Sequence, residues 1–126
     1  MKYKLVERDN PQNRGNKKWY ATPVNGGKIT KTAISKEIVD MSSLSRGDVS
    51  NVIENLIDIM PKYLIDNKGI QLGEFGTLRL SFSSEGVDNE KDFHVSKIRN
   101  IKVSFIPSPE FRKALNEIKF ERVEEK

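Results

Sequence analysis

The sequence contains no cysteine among its 126 residues. This absence excludes disulfide bonds, thiolate nucleophiles and most structural zinc sites. Histidine is almost as scarce, because His94 is the only one, and no serine or aspartate stands at a spacing that would make it part of a catalytic set. A lone histidine is far more often an ordinary strand residue than a catalyst or ligand. We therefore expect neither an enzyme nor a bound cofactor or metal.

Long apolar runs are also missing. No stretch approaches the roughly 20 apolar residues that a membrane-spanning helix needs. The first residues, Met1 to Arg8, lack the apolar segment of a secretory signal peptide. With 32% charged residues, the composition is typical of a soluble cytoplasmic protein. We expect no membrane partner and no small-molecule substrate.

Positive charge is present in modest excess and is unevenly distributed. The formal net charge is +4, and residues 1–31 contain eight lysines or arginines against two acids, whereas residues 32–80 contain five against seven. Clustered cations attract polyanions because phosphate contacts release counterions. A solvated surface that keeps the protein soluble is the alternative explanation, and charge alone does not decide between the two.

The N-terminal segment carries signals for β structure. Lys2–Arg8 alternates weakly between polar and apolar residues, and Lys17–Val24 contains a Trp-Tyr pair and other residues that favour strands. Asp9–Asn16, between them, is rich in turn residues, and Asn25-Gly26-Gly27 is a tight-turn sequence. These signals predict a β hairpin or a pair of strands, with a solvated tail as the alternative.

Two helices are expected next. The first begins near Thr32 and ends around Ser42-Ser43, with its apolar residues on one face. The second begins at Ser45, which has Asp48 at capping-box spacing, and its apolar stripe continues over four turns. Pro61 lies inside this pattern and is expected to kink the helix or weaken its hydrogen bonds. The stripe is longer than a monomeric core needs, which favours a dimer.

The apolar period then changes to two. Ile70–Phe82 alternates as a strand does, and Gly73–Gly76 interrupts it with the signature of a bend or bulge. Ser83–Asp92 is polar and acidic and is predicted to be a loop or arm, and Phe93–Ile106 is predicted to return as a strand. Ser108 can cap a last short helix. We find no internal repeat and no second domain.

This order of elements, together with several short motifs, resembles the HU and integration-host-factor family of bacterial histone-like proteins. Leu44–Asp48 resembles the family's turn between its first two helices, and Ile70–Leu78 resembles its strand motif with a Phe-Gly pair. Lys102–Pro107 followed by Lys113–Leu115 resembles its closing strand and last helix. The resemblance covers roughly Thr32 to Ile118, and the residues before it look like the added N-terminal β segment of a divergent branch.

The resemblance implies an α+β fold and an intertwined homodimer. The expected elements are two N-terminal helices, a β ribbon with a long arm and a short C-terminal helix, preceded by the added β hairpin. One domain would cover residues 1–126, divided into an N-terminal extension (1–31), an HU-like core (32–118) and a charged tail (119–126). In this family the arms reach around DNA and bend it, commonly with a proline wedge at the arm tip.

The implied function is binding of double-stranded DNA, mostly without sequence preference, by a component of the nucleoid. The cations that keep the family's placement, and two from the N-terminal segment, are the predicted phosphate contacts: Arg79, Lys97, Arg99, Lys102, Lys113, Lys17 and Lys18. The arm departs from the pattern, because residues 81–105 contain no proline and residues 85–92 contain four acids. The alternative is therefore an HU-like dimeric module whose arm has lost DNA bending and serves protein–protein assembly.

Overall fold

A computed structural model describes residues 1–124 of the chain. Its contacts divide into two compact units, a hairpin unit built from Met1–Thr30 and the chain from Leu115 onward, and a helix–ribbon unit built from Lys31–Ala114. The expected mixed α+β content, with three helices and two small sheets, is confirmed. That both units form one domain over residues 1–126 stays a prediction.

In chain order the helices and strands are β1 (Lys2–Asn10), β2 (Asn13–Pro23), α1 (Lys31–Met41), α2 (Arg46–Ile65), β3 (Ile70–Gln71), β4 (Gly76–Ser84), β5 (Ile98–Pro107), α3 (Pro109–Leu115) and β6 (Glu121–Arg122). From β1 to α3 they follow one another in the order that the sequence predicts, and one further strand, β6, comes after them. None of the helices within residues 1–124 is long and apolar enough to cross a membrane.

The hairpin unit is built on β1 and β2, which pair antiparallel. Both strands run further into the predicted turn region than expected, so that the turn itself is Pro11-Gln12. The register shifts between Asp9 and Asn10, and Gly15 takes a φ of +108° on the opposite strand. This irregularity accommodates turn-favouring residues inside a strand, because a bulge takes up the extra residues.

The segment predicted as a charged tail instead contributes a strand to the same sheet. β6 lies parallel to β1, with Lys2 opposite Glu121 and Tyr3 opposite Arg122, and the strand order is β2-β1-β6. The rings of Tyr3 and Phe120 make an edge contact, with centroids 6.5 Å apart. The prediction of a charged tail is corrected here for Glu121 and Arg122, whose pairing partner lies at the far end of the chain. Residues 125 and 126 of that tail lie outside the described residues.

Helix α2 begins as the sequence predicts. The backbone N–H of Asp48 donates to Ser45 Oγ at 3.1 Å, and the backbone N–H of Ser45 donates to Asp48 Oδ2 at 3.1 Å, which completes a capping box. The side-chain and backbone hydrogen bonds from Ser45 lower the pKa of the Asp48 carboxyl below its usual value. The helix continues through Pro61 to Ile65.

The ribbon consists of β3, β4 and β5, which pair antiparallel in that order. At its base the ring of Phe75 stacks on Phe105 at 4.5 Å between centroids and meets Phe111 of α3 edge-on at 5.3 Å. Ser108 caps α3 as predicted, because its Oγ accepts a hydrogen bond from the backbone N–H of Phe111 at 3.1 Å. The aromatic cluster thus fixes α3 against the base of the ribbon.

The returning strand of the arm starts later than the sequence predicts. Strand β5 begins at Ile98 rather than at Phe93, and the chain between β4 and β5 contains two single 3₁₀ turns at Glu90–Asp92 and Val95–Lys97. His94 is therefore not a strand residue, since its Nδ1 accepts a hydrogen bond from the backbone N–H of Ser96 at 3.1 Å. Side chains that bond to the local backbone compete in this way with strand pairing.

Few apolar side chains are buried within a single copy of the chain. Among residues 1–124, Val49 and Leu64 of α2 are the apolar side chains that are buried. Helix α2 packs against α1, β3 and β4, and the Lys31 ammonium at the start of α1 forms an ion pair with Glu54 of α2. Much of the predicted apolar stripe remains exposed to solvent.

Candidate nucleic-acid interface

The register of the ribbon collects three predicted cations on one face. Arg79 lies opposite Ser104, Ser81 opposite Lys102, and Ser83 opposite Arg99. Because side chains alternate between faces along a strand and paired residues share a face, Arg79, Lys102 and Arg99 point to the same side. We call this the polar face of the ribbon.

Arg99 reaches the polar face because of a bulge. Arg99 and Lys102 are three positions apart, so strict alternation would put them on opposite faces. The register shift between Ser81 and Ser83 adds one residue on β5, and Asn100 there has a φ of +57°, a conformation that asparagine tolerates better than most residues. The Asn100 Nδ2 donates to Ser83 Oγ at 3.1 Å, which ties the bulge across the ribbon.

Two of the predicted cations are held by one carboxylate. Glu85 follows β4 directly, and its carboxylate accepts from Lys97 Nζ at 3.5 Å and from the Arg99 guanidinium through its other oxygen. The backbone N–H of Glu85 also donates to the carbonyl oxygen of Lys97 at 3.0 Å. We call this group of Glu85, Lys97 and Arg99 the carboxylate clasp.

Arg79 lies near the end of α2. A Cβ added to Gly69 would be 2.9 Å from the Arg79 Cζ, so the guanidinium packs directly against that glycine. Lys68 lines the same small depression of about 80 Å³ and forms an ion pair with Asp66 at 3.3 Å. The sequence interpretation did not include Lys68, since its proximity to Arg79 results from the packing of α2 on β4.

Lys113 lies apart from the two cations of the carboxylate clasp. It belongs to α3, which the Phe75–Phe111 contact fixes near the Gly76–Pro107 end of the ribbon. The carboxylate clasp is at the other end of β4, roughly 27 Å away at the usual rise per residue. The structure therefore does not bring Lys113 to the cations of the arm.

Lys17 and Lys18 lie in the hairpin unit on opposite faces of its sheet. Lys17 is opposite Asp9, whereas Lys18 is opposite Arg8. An opposite charge across a strand pair partly neutralises a cation, while a like charge is destabilising until an anion binds. The two adjacent lysines are therefore not equivalent candidates for a phosphate contact.

Other kinds of site find little support. Residues 1–124 contain no group of three His, Asp or Glu side chains that could hold a metal ion. A hollow of about 570 Å³ in the hairpin unit is mostly apolar, and its walls include Tyr3, Leu5, Ala21 and Phe120. No catalytic set of side chains lines it.

Comparison with known proteins connects this geometry to a family. A family model named HU-HIG, described as an HU domain fused to a winged helix-turn-helix, Ig or glycine-rich motif, matches residues 1–122. A crystal structure of a candidate DNA-binding protein from the bacterium Bacteroides vulgatus superposes with a TM-score of 0.64 at 16% identity. The match covers 98% of this chain and 48% of that one, so the chain spans about half of its neighbour's length. No curated protein matches the sequence.

Proposed function

The chain belongs to the HU-HIG family, and from that premise we propose that it binds double-stranded DNA through phosphate contacts made by the polar face of its ribbon. The HU-like domain, together with a structural neighbour described as a candidate bacterial DNA-binding protein, supports DNA binding in general. An architectural protein rather than an enzyme is the role that fits the family. The observation that carries the finer proposal is the bulge at Asn100, which turns Arg99 to the same side as Arg79 and Lys102.

Binding of this kind is mostly independent of base sequence. Arginine and lysine contacts to phosphates fix position on the duplex and carry no sequence information directly. The amide of Asn100, a side chain that could contact a base edge, instead donates to Ser83 within the ribbon. Such binding suits a component of the nucleoid, and we propose that location.

The sequence of the arm indicates that it binds without a proline wedge. The residues between Ser84 and Ile98 contain no proline, and they include two 3₁₀ turns. An apolar wedge is what partly unstacks a base step and kinks the duplex in architectural proteins. We therefore propose that this chain contacts DNA without the strong bend of wedge-bearing relatives.

We propose that the binding unit is a homodimer. On α2 a second apolar row lies beside the row that contains Val49 and Leu64. Its members are spaced i, i+4, i+7 and i+11 and are 36 to 60% exposed: Val52, Leu56, Ile59 and Tyr63. Soluble monomers rarely leave so continuous an apolar patch exposed, and a chain of this length normally buries a sizeable core. A second copy of the chain would cover the row.

The direct test is a titration of duplex DNA at several salt concentrations. We expect affinity to fall steeply with salt. Substitution of Arg79, Lys97, Arg99 and Lys102 together by alanine should reduce the slope of log K against log salt by about 0.9 for each phosphate that the variant no longer neutralises. The Lys113→Ala variant tests separately whether the predicted contact in α3, away from the arm, also neutralises a phosphate. A wild-type protein that does not bind at low salt would contradict the proposal.

One observation favours a different function. The carboxylate clasp neutralises part of the charge of Lys97 and Arg99, and four acids lie in residues 85–92, so the arm is less attractive to phosphates than its lysines and arginines imply. The alternative is a dimeric module whose arm and N-terminal strands serve protein–protein assembly. An intact dimer that ignores duplex DNA at low salt would support this alternative.

A further inference from the structure

Glu85 is placed where a bound phosphate would be expected to lie. Its two carboxylate oxygens face two different cations, Lys97 and Arg99, and no other acid in residues 1–124 forms an ion pair with either cation. A phosphate offers similar oxygen acceptors to the same donors. The carboxylate therefore occupies the binding positions that the proposed DNA contact requires.

The backbone of the ribbon positions the three residues of the clasp. The bulge at Asn100 turns Arg99 to the polar face, and the backbone hydrogen bond from Glu85 to the Lys97 carbonyl oxygen brings both ends of the arm together. All three charged side chains remain 39 to 58% exposed. Ion pairs this exposed to water are weak, so an incoming phosphate can displace the carboxylate.

We propose that Glu85 is an internal competitor of DNA phosphate that sets the affinity of the arm. This inference rests on the proposed DNA-binding function. With Glu85 ionised, the clasp carries a net charge of +1, because two cations are offset by one carboxylate. Without the carboxylate the same two cations carry +2. The arm then neutralises about one more phosphate and releases the corresponding counterions.

The experiment compares Glu85→Gln with the wild-type chain in duplex titrations over a series of salt concentrations. We expect the slope of log K against log salt to become steeper by about 0.9, which corresponds to an increase in affinity of about five- to tenfold at 0.1 M salt. Glutamine keeps the size of the side chain and removes its charge. Circular dichroism and thermal unfolding of each variant establish that the fold is retained.

The matched control is Glu90→Gln. It changes the net charge of the same arm by the same amount, and within residues 1–124 the Glu90 carboxylate forms no ion pair. We expect it to raise affinity less than twofold. Equal gains from Glu85→Gln and Glu90→Gln would overturn the inference, because net charge rather than the clasp would then set the affinity.

A double-mutant cycle separates this inference from the proposed function. In a Lys97→Ala/Arg99→Ala background, the two side chains that Glu85 pairs with are absent. The Glu85→Gln change then frees no cation for a phosphate, so its gain in affinity should disappear. A gain that persists in this background overturns the role of the clasp while DNA binding stands. If neither the wild-type chain nor Glu85→Gln binds duplex DNA at low salt, the proposed function itself fails and this inference fails with it.

Discussion

At the scale of single residues, the side chains that matter most are those whose neighbours alter their charge or its availability. Asp48 is stabilised in its ionised form by hydrogen bonds from Ser45, Lys17 lies opposite an acid, and Lys18 lies opposite a second cation. Residue type alone does not distinguish such cases. These cases are distinguished by the hydrogen-bond partner or the cross-strand partner of each side chain. Asp48 and the lysine pair each lead to a prediction.

The lowered pKa of Asp48 predicts that acid weakens the start of α2. A carboxyl whose pKa is lower in the folded than in the unfolded chain adds stability above its ordinary value of 3.8, and this contribution is lost as the pH falls below that value. We expect the difference in melting temperature between the wild-type chain and Asp48→Asn to shrink in acid. Thermal unfolding followed by circular dichroism measures it, and a difference that grows below pH 3.8 would contradict the assignment.

The opposite faces of Lys17 and Lys18 predict unequal effects on DNA binding. If the hairpin unit contacts DNA, Lys18→Gln should lower the slope of log K against log salt by about 0.9, because Lys18 and Arg8 form a like-charge pair that an anion would relieve. Lys17→Gln removes the same charge one position away and should have little effect, since Asp9 faces it. Equal reductions in slope would show that only the net charge matters.

At the scale of elements, the ribbon depends on places where strand geometry is broken. Asn100 interrupts alternation so that Arg99 joins Arg79, and Gly76 begins β4 at a position where the backbones are in close contact. A Cβ at Gly76 would lie 2.3 Å from the carbonyl oxygen of Ile106 and 2.8 Å from the ring of Phe105, and its φ is +144°. No side chain fits there without displacing the neighbouring strand.

This close approach predicts that Gly76→Ala is strongly destabilising. The strained φ and the backbone clash together should lower the free energy of unfolding by at least about 2 kcal/mol, as measured by chemical denaturation. The matched control is Gly86→Ala in the arm, where nothing lies within 4 Å of the added Cβ and φ is not positive, so a change of about 0.5 kcal/mol or less is expected. Similar destabilisation by both substitutions would refute the close-approach explanation.

At the scale of the whole molecule, the main feature is an apolar row on α2 that the rest of its own unit leaves exposed. Helix α2 is 20 residues long, and it places one apolar row against its own unit and a second row, from Val52 to Tyr63, toward solvent. The ribbon adds exposed Phe82, Ile101 and Val103. Surfaces of this kind are typical of interfaces between protein copies.

The proposed homodimer predicts that a charge in the exposed row dissociates it. Ile59→Glu would bury an unpaired carboxylate in the interface, so the chain should sediment as a monomer where the wild type sediments as a dimer. Asn51→Glu introduces the same charge at an exposed position of α2 outside the row and should leave the dimer intact. A wild-type chain that is monomeric at micromolar concentration would contradict the dimer.

Local features were the ones that sequence reasoning predicted well. The capping box at Ser45, the Phe-Gly bend and the Ser108 cap each depend on residues within a few positions of one another, and the family resemblance rests on short motifs of that kind in a fixed order. The interpretation was wrong where distant segments meet. It treated the chain after Ile118 as a tail, although Glu121 pairs with Lys2, because nothing in the local sequence records a partner 119 positions away.

For the candidate site, too, the sequence predicted the local features, and the rest depends on the tertiary structure. Residue types and their order were sufficient to identify an HU-like fold and to select the basic residues of the ribbon, because propensity, capping and alternation act over short stretches of chain. The face to which Arg99 points, the carboxylate that holds it and the unequal positions of Lys17 and Lys18 follow from strand register. Register is set by the summed pairing and packing of whole strands, and a shift of one residue would reverse each of these placements.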